Sequence, residues 1–223
     1  MKRFTFLACA SLLAAAMASP SLASDLPRPA YKAPVYVAPF SWSGFYVGLN
    51  AGYAWGTADV SNVFGTQGIS TTGGLVGGTL GYNLQTGNWV WGIETDIDAS
   101  GLKGSSAAGA ACITGTCSVK NTWYGTTRGR IGYAFDRWLP FITGGAAYGD
   151  VKLTTPGLSN TDTQIGWTAG LGVEWAFLGN WSTKIEYLYS DLGNANCPAS
   201  KCVVSTNTDL KTNLVRLGIN YRF

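Results

Sequence analysis

From residue 45 onward the chain alternates between large apolar and small or polar residues. In the segment Phe45–Gly56, Phe45, Val47, Leu49, Ala51, Tyr53 and Trp55 share one parity, and Tyr46, Gly48, Asn50, Gly52, Ala54 and Gly56 share the other. A period of two is the mark of a β-strand with unlike faces. Seven more segments follow. Gly74–Gln85 sets Val76, Leu80, Tyr82 and Leu84 against Gly77, Thr79, Gly81 and Asn83. Trp89–Asp98 sets Trp89, Trp91, Ile93 and Ile97 against Glu94, Asp96 and Asp98, and Trp123–Ala134 sets Ile131 and Tyr133 against Tyr124, Arg128 and Arg130. The fifth, Leu139–Gly149, is mostly Gly and Ala, and either face can be the apolar one. In Ile165–Phe177 every second residue is apolar and Glu174 stands among small residues on the other face. Trp181–Ser190 opposes Trp181, Ile185, Tyr187 and Tyr189 to Lys184 and Glu186, and Asn213–Phe223 opposes Val215, Leu217, Ile219, Tyr221 and Phe223 to Arg216, Asn220 and Arg222.

A soluble sheet would put charge on its exposed face. Here every charge in the segment bodies lies opposite the apolar row. That sorting fits a wall whose outer face meets lipid, which cannot solvate a carboxylate or a guanidinium. Each segment is also long enough to cross, since a tilted membrane strand needs ~9–11 residues. The gaps alternate between tight turns (86–88, 135–138, 178–180) and longer stretches (57–73, 99–122, 150–164, 191–212). Eight crossings with short turns on one side and long loops on the other predict an all-β, eight-stranded, antiparallel, up-and-down transmembrane β-barrel. An open sheet edge in hydrocarbon would leave backbone groups unpaired, so the ring must close.

On this register Trp42, Trp89, Trp138, Trp175 and Trp181 fall near the short turns, and Trp55, Trp123 and Trp167 near the long loops. Two aromatic belts are what membrane–water interfaces favour. The inward set contains Glu94, Asp96, Glu174 and Glu186 against Arg128, Arg130, Lys184, Arg216 and Arg222. Eight strands enclose only enough room for side chains, so these charges predict a lumen filled by ion pairs rather than a diffusion pore.

The start of the chain is different. Lys2 and Arg3 precede an apolar run that ends at Ser21-Leu22-Ala23, the layout of a secretory signal peptide spanning residues 1–23. Residues 24–43 carry Pro27, Pro29, Pro34 and Pro39 and read as an extended periplasmic tether, leaving residues 44–223 for the barrel. With eight crossings both ends lie in the periplasm and the long loops lie outside the cell. After cleavage 13 basic and 12 acidic residues remain, a balance that offers nothing to nucleic acid. Cys112, Cys117, Cys197 and Cys202 then form two C-x4-C pairs in the long loops. An even count in an oxidising compartment reads as disulfides with three connectivities, local bridges within each pair being the expectation and a four-thiolate zinc site the alternative.

The 223 residues include 29 aromatics and no His. That excludes histidine bases, Ser-His-Asp triads and histidine-held zinc or haem. Glu94 and Asp96 have the chemistry for acid–base work, but arginines on the neighbouring segment make structural pairing the better reading. No enzyme activity and no cofactor are expected.

The Ser24-Asp25-Leu26-Pro27 start, the Trp42-Ser43-Gly44-Phe45-Tyr46-Val47-Gly48 lead into the first strand and the Leu217-Gly218-Ile219-Asn220-Tyr221-Arg222-Phe223 end resemble the small surface-antigen outer-membrane proteins of alphaproteobacteria. These are opacity-like and OmpA-like barrels that include the Brucella immunogenic and haemin-binding types. The resemblance implies that the barrel assembly machinery recognises Phe223. It also implies a surface protein serving envelope integrity and contact with host surface molecules, with porin-like conduction or haemin binding in some members. For haemin, this chain could offer only Tyr or Cys to iron. The reading from sequence is therefore a lipid-embedded, monomeric structural and surface-interaction protein, with a narrow channel and a haemin-binding protein as the alternatives.

Overall fold

In a computed structural model of the protein, the described residues are 40–62, 65–106, 117–155, 158–197 and 206–223. The expected signal peptide and all but the last four residues of the expected tether lie outside them. Ten strands run in chain order: β1 (Gly44–Asn62), β2 (Gly65–Thr86), β3 (Trp89–Ser100), β4 (Lys103–Ser106), β5 (Cys117–Lys120), β6 (Trp123–Tyr133), β7 (Trp138–Thr155), β8 (Leu158–Leu178), β9 (Trp181–Cys197) and β10 (Thr206–Arg222).

Eight of them close a ring. Antiparallel pairs link β1 to β2, β2 to β3, β3 to β6, β6 to β7, β7 to β8, β8 to β9, β9 to β10 and β10 back to β1. The seam pairs Val47 with Tyr221 and Ala51 with Leu217, and the backbone N–H of Phe223 donates to the Phe45 carbonyl at 2.9 Å. No edge is left to face lipid.

The large apolar rows point outward. Leu49 is 75% exposed, and Ile93, Ile97, Ile142, Leu171 and Leu217 are exposed with it. The ambiguous fifth segment also resolves, with Ile142 outside and Leu139 and Phe141 buried inside. On the tight-turn side Trp89 packs on Tyr133, Trp138 stacks on Trp175 and Trp181 packs on Tyr221; on the other side Trp123 meets Tyr148 and Trp167 meets Tyr189. Trp55 is exposed beside this second group. Gly87 and Gly179 open the two-residue turns after β2 and β8 with φ of +61° and +50°, the left-handed start such hairpins need.

Two expectations change. Much of each expected outer loop is strand: β1 and β2 pair out to Asn62 opposite Gly65, and β7 and β8 out to Thr155 opposite Leu158. Beyond the ring, β4 and β5 pair with each other, β4 also with β2, and β5 also with β7, so the wall continues outward past β3 and β6. The cause is a reversal of polarity along the same strands. In this protruding part Ala54, Ala58, Ile69, Leu75, Leu102, Val119, Leu188, Leu192 and Leu214 face inward and form an apolar cluster. Thr57, Ser70 and Thr72 meanwhile face out, as in a water-soluble sheet.

The expected loop disulfides are also corrected, because the structure shows no disulfide bond among the described residues. Cys117 stands opposite Ser106 and Cys197 opposite Thr206 in the ladders, so neither has a thiol as its cross-strand neighbour. Cys112 and Cys202 lie outside the described residues.

Placing a charge on the outer wall tests this embedding. Leu49→Arg should cost about 2–4 kcal/mol of stability near the bilayer midplane, and Thr57→Arg, beyond the outer belt, roughly 0–1 kcal/mol. Denaturant titration of barrels folded into lipid vesicles reads both values.

Candidate functional site

The inward parity of β3, β6, β8, β9 and β10 gathers a buried layer of charge midway along the lumen. It contains Glu94, Asp96, Asp98, Glu174 and Glu186 with Arg128, Arg130, Lys184 and Arg216. Part of it follows from strand register, since Glu94 stands opposite Arg128, Glu174 opposite Lys184 and Glu186 opposite Arg216. The rest crosses the barrel. Arg128 reaches Glu186 at 3.0 Å while also holding Glu94 and Asp96, each at 2.6 Å. Arg216 holds Asp96 at 2.6 Å and Asp98 at 3.2 Å, and its Nε donates to Glu186. Lys184 spans to Glu94 at 2.6 Å, and Arg130 spans to Glu174 at 2.8 Å. The pairs therefore tie β3 and β6 to β8, β9 and β10 through the interior.

Neutral groups complete the layer. Tyr46 donates its hydroxyl to Glu94 at 2.7 Å and accepts from Arg130 at 3.1 Å. Thr79 and Thr126 donate to Asp96 at 2.8 and 2.7 Å, and Ser182 and Asn220 donate to Glu174 at 2.6 and 2.9 Å. The guanidinium carbon of Arg130 lies 4.1 Å from the Phe141 ring centroid. Space for these long side chains comes from small residues opposite them. A Cβ on Gly52 would fall 2.7 Å from the Arg216 Cβ, and one on Gly81 would fall 2.3 Å from the Tyr46 ring.

Both ends of the charged layer are closed. On the outer side lies the apolar cluster of the protruding wall, where Tyr124 bonds Ser190 and a cavity of about 20 Å³ remains. That void has room for about one water. At the tight-turn side Trp42 packs against Val90, Ala134, Leu139 and Ala176, with Phe40 beside it.

Trp42 is thus not an interfacial aromatic. It is 1% exposed, its indole N–H donates to the Asp136 carbonyl at 3.1 Å, and its backbone N–H donates to Gln85 at 2.7 Å. It precedes β1 and folds under the ring, the chain turning into the strand at Gly44 with φ +133°. Arg222 likewise stands apart from the ion pairs. Its guanidinium carbon lies 4.4 Å from the Phe40 ring centroid and 5.9 Å from that of Trp42. At its height the rings fill the mouth, and Asn220, one inward step deeper, takes the place beside Glu174.

The family described as "Outer membrane protein beta-barrel domain" matches residues 5–223. The chain belongs to this family. Curated members similar to it include a "31 kDa outer-membrane immunogenic protein" of Brucella melitensis, 38% identical over 95% of this chain and 97% of that one. A "22 kDa outer membrane protein" of Rhizobium leguminosarum is 36% identical over 82% of this chain and 79% of its own length. Among solved structures the outer membrane protein OprG of Pseudomonas aeruginosa superposes with a TM-score of 0.53 at 14% identity, covering 81% of this chain and 97% of that one, a likeness of fold. As an outer-membrane barrel, the protein sits in lipid with its long hairpins outside the cell and its termini in the periplasm.

Sequence reasoning passed over Tyr46, Asp98 and Asn220 as members of the layer, though each sits at an inward position of its segment. The signal was parity: Asp98 lies two residues from Asp96, and Asn220 lies four from Arg216. The outer apolar cluster had a weaker signal, since its residues lie where the alternation reverses.

Removing one partner should leave buried carboxylates uncompensated. Arg216→Met is expected to cost about 3–5 kcal/mol. Arg222→Met, outside the ion pairs, should cost less than about 1 kcal/mol. Guanidinium unfolding of lipid-folded barrels separates the two; equal losses would contradict the distinct roles given to these arginines.

Proposed function

We propose that the protein is a structural, surface-exposed component of the outer membrane. It acts as a closed, non-conducting cylinder that supports envelope integrity and presents its protruding wall to the environment or a host. One observation carries this reading: the lumen is filled along its length by the Trp42 cluster, the cross-lumen ion pairs and the outer apolar cluster. A hydrated ion has no path through a layer of buried carboxylates and cations that meet across the lumen. The word "immunogenic" in the Brucella relative's name supports exposure of the outer wall on the cell surface.

The lumen charges serve as cross-braces rather than as an acid–base site, because each carboxylate is committed to a cation on another strand. Phe223 is the assembly signal: it directly follows β10, the strand that closes the seam, where the assembly machinery would engage the chain before closure. Residues 1–23 direct export and residues 24–43 serve as a Pro-rich periplasmic tether. A single copy closes its own sheet, so the working form is a monomer in lipid.

Purified barrels folded into planar bilayers should give no reproducible conductance steps, while heat-modifiable gel mobility shows that they are folded. Stable unitary steps from folded protein would replace this reading with a narrow channel.

A further inference from the structure

Three lysines stand in one row on the outside of the protruding wall. Lys103 on β4 is directly opposite Lys120 on β5, and Lys120 is directly opposite Lys152 on β7. All three are exposed, while their neighbours Leu102, Gly104, Val119 and Asn121 face the interior. Strands lie about 4.8 Å apart, so the row sets three positive charges across about 10 Å of surface. Like charges directly opposite one another in a sheet are unfavourable. Among the described residues no salt bridge involves any of the three.

On the adjacent strand Asp162 pairs with Val151, while the partner of Lys152 there is Thr161; Asp150, two residues from Lys152 on its own strand, is already engaged. It accepts from the backbone N–H groups of Thr122 and Trp123 at 2.9 and 3.0 Å and from the Thr122 hydroxyl. Asp59 on β1 and Asp191 on β9 are each a whole strand away from the row, across β2 and β8 respectively. Thr72, opposite Lys103 on β2, extends the row with a hydroxyl.

The height of the row selects its partner. Lys152 lies four residues beyond Tyr148 of the outer aromatic belt, roughly 10 Å further out along a tilted strand. Belt aromatics mark the headgroup level. Outward-pointing ammonium groups just above it meet the anionic saccharide headgroups of outer-leaflet glycolipid, and flexible lysine stems allow the charges to reach down to them.

We propose that Lys103, Lys120 and Lys152 form a binding site for the anionic headgroup of an outer-leaflet glycolipid. Ligand phosphates or carboxylates bridge adjacent ammonium groups and remove their mutual repulsion. The site fixes the barrel's depth and rotation against its lipid neighbours, and it is separate from the lumen.

The test uses the detergent-folded full barrel and a bisphosphorylated, acylated glucosamine disaccharide in competition with its dephosphorylated form, read by native mass spectrometry. The barrel should prefer the phosphorylated lipid by about tenfold or more. The variant K103Q/K120Q/K152Q should lose that preference while keeping its heat-modifiable mobility, and K120Q alone should lose several-fold. Added salt should erode the preference of the unmodified barrel. Equal preference in the unmodified barrel and in either variant overturns the proposal. So does displacement of the lipid by an equal concentration of inorganic phosphate, which would make the row a free-anion site. Tighter binding of a sulfated polysaccharide than of the lipid would reassign the row to a soluble polyanion and overturn it as well.

Discussion

Hydrocarbon offers no partner to a backbone N–H, a carbonyl or a charge, and the rest of the structure follows from that. Each strand must be paired on both sides, so β1 meets β10 and the sheet has no edge. Each ionised side chain must turn inward, so the lumen receives the carboxylates and guanidinium groups that a soluble protein would wear outside. Once inside, those charges are cut off from water and have to satisfy one another. The ion pairs between β3 or β6 and the far wall are the consequence.

The same demand changes sign along a strand. Within the membrane the outer face is apolar and the inner face charged; beyond the outer belt the inner face is apolar and the outer face carries Thr, Ser and Lys. The strands pass through this reversal without interruption on β1, β2, β7, β8, β9 and β10, whereas β3 and β6 give way to β4 and β5. One cylinder thus holds two kinds of core, a saline one in lipid and an oily one in water. A shift of one residue would invert both at once, so the two cores hold a single register.

A filled and cross-braced cylinder suits a protein whose working surfaces are its outside wall and its rim. The lipid-facing rows set its depth. The protruding hairpins present Thr, Ser and the lysine row outward, and the mouth is closed by Trp42 and Phe40 from the chain's own approach to β1. None of these surfaces requires the lumen to open.

Strand number, closure, orientation and the sorting of charge were legible along the chain, because a period of two reports which face each residue occupies and lipid penalises every exception. Neighbour pairs such as Glu94 with Arg128 were within reach for the same reason, being set by register between adjacent strands. What could not be read was whatever depends on two walls meeting. The span from Arg216 to Asp98, the place of Tyr46 between Glu94 and Arg130, and the alignment of Lys103, Lys120 and Lys152 each join residues whose separation in sequence carries no periodic signal. Trp42 and Arg222 were misplaced because alternation ends where the strands end, and at the mouth packing alone decides where a side chain goes. The cysteines show the same boundary, since their spacing suggested bridges while the ladders put Ser106 and Thr206 opposite Cys117 and Cys197. Local alternation, enforced by the solvent on each face, was enough to specify the wall; the contents of the lumen and the rim arise from contacts across it, which exist only after the ring has closed.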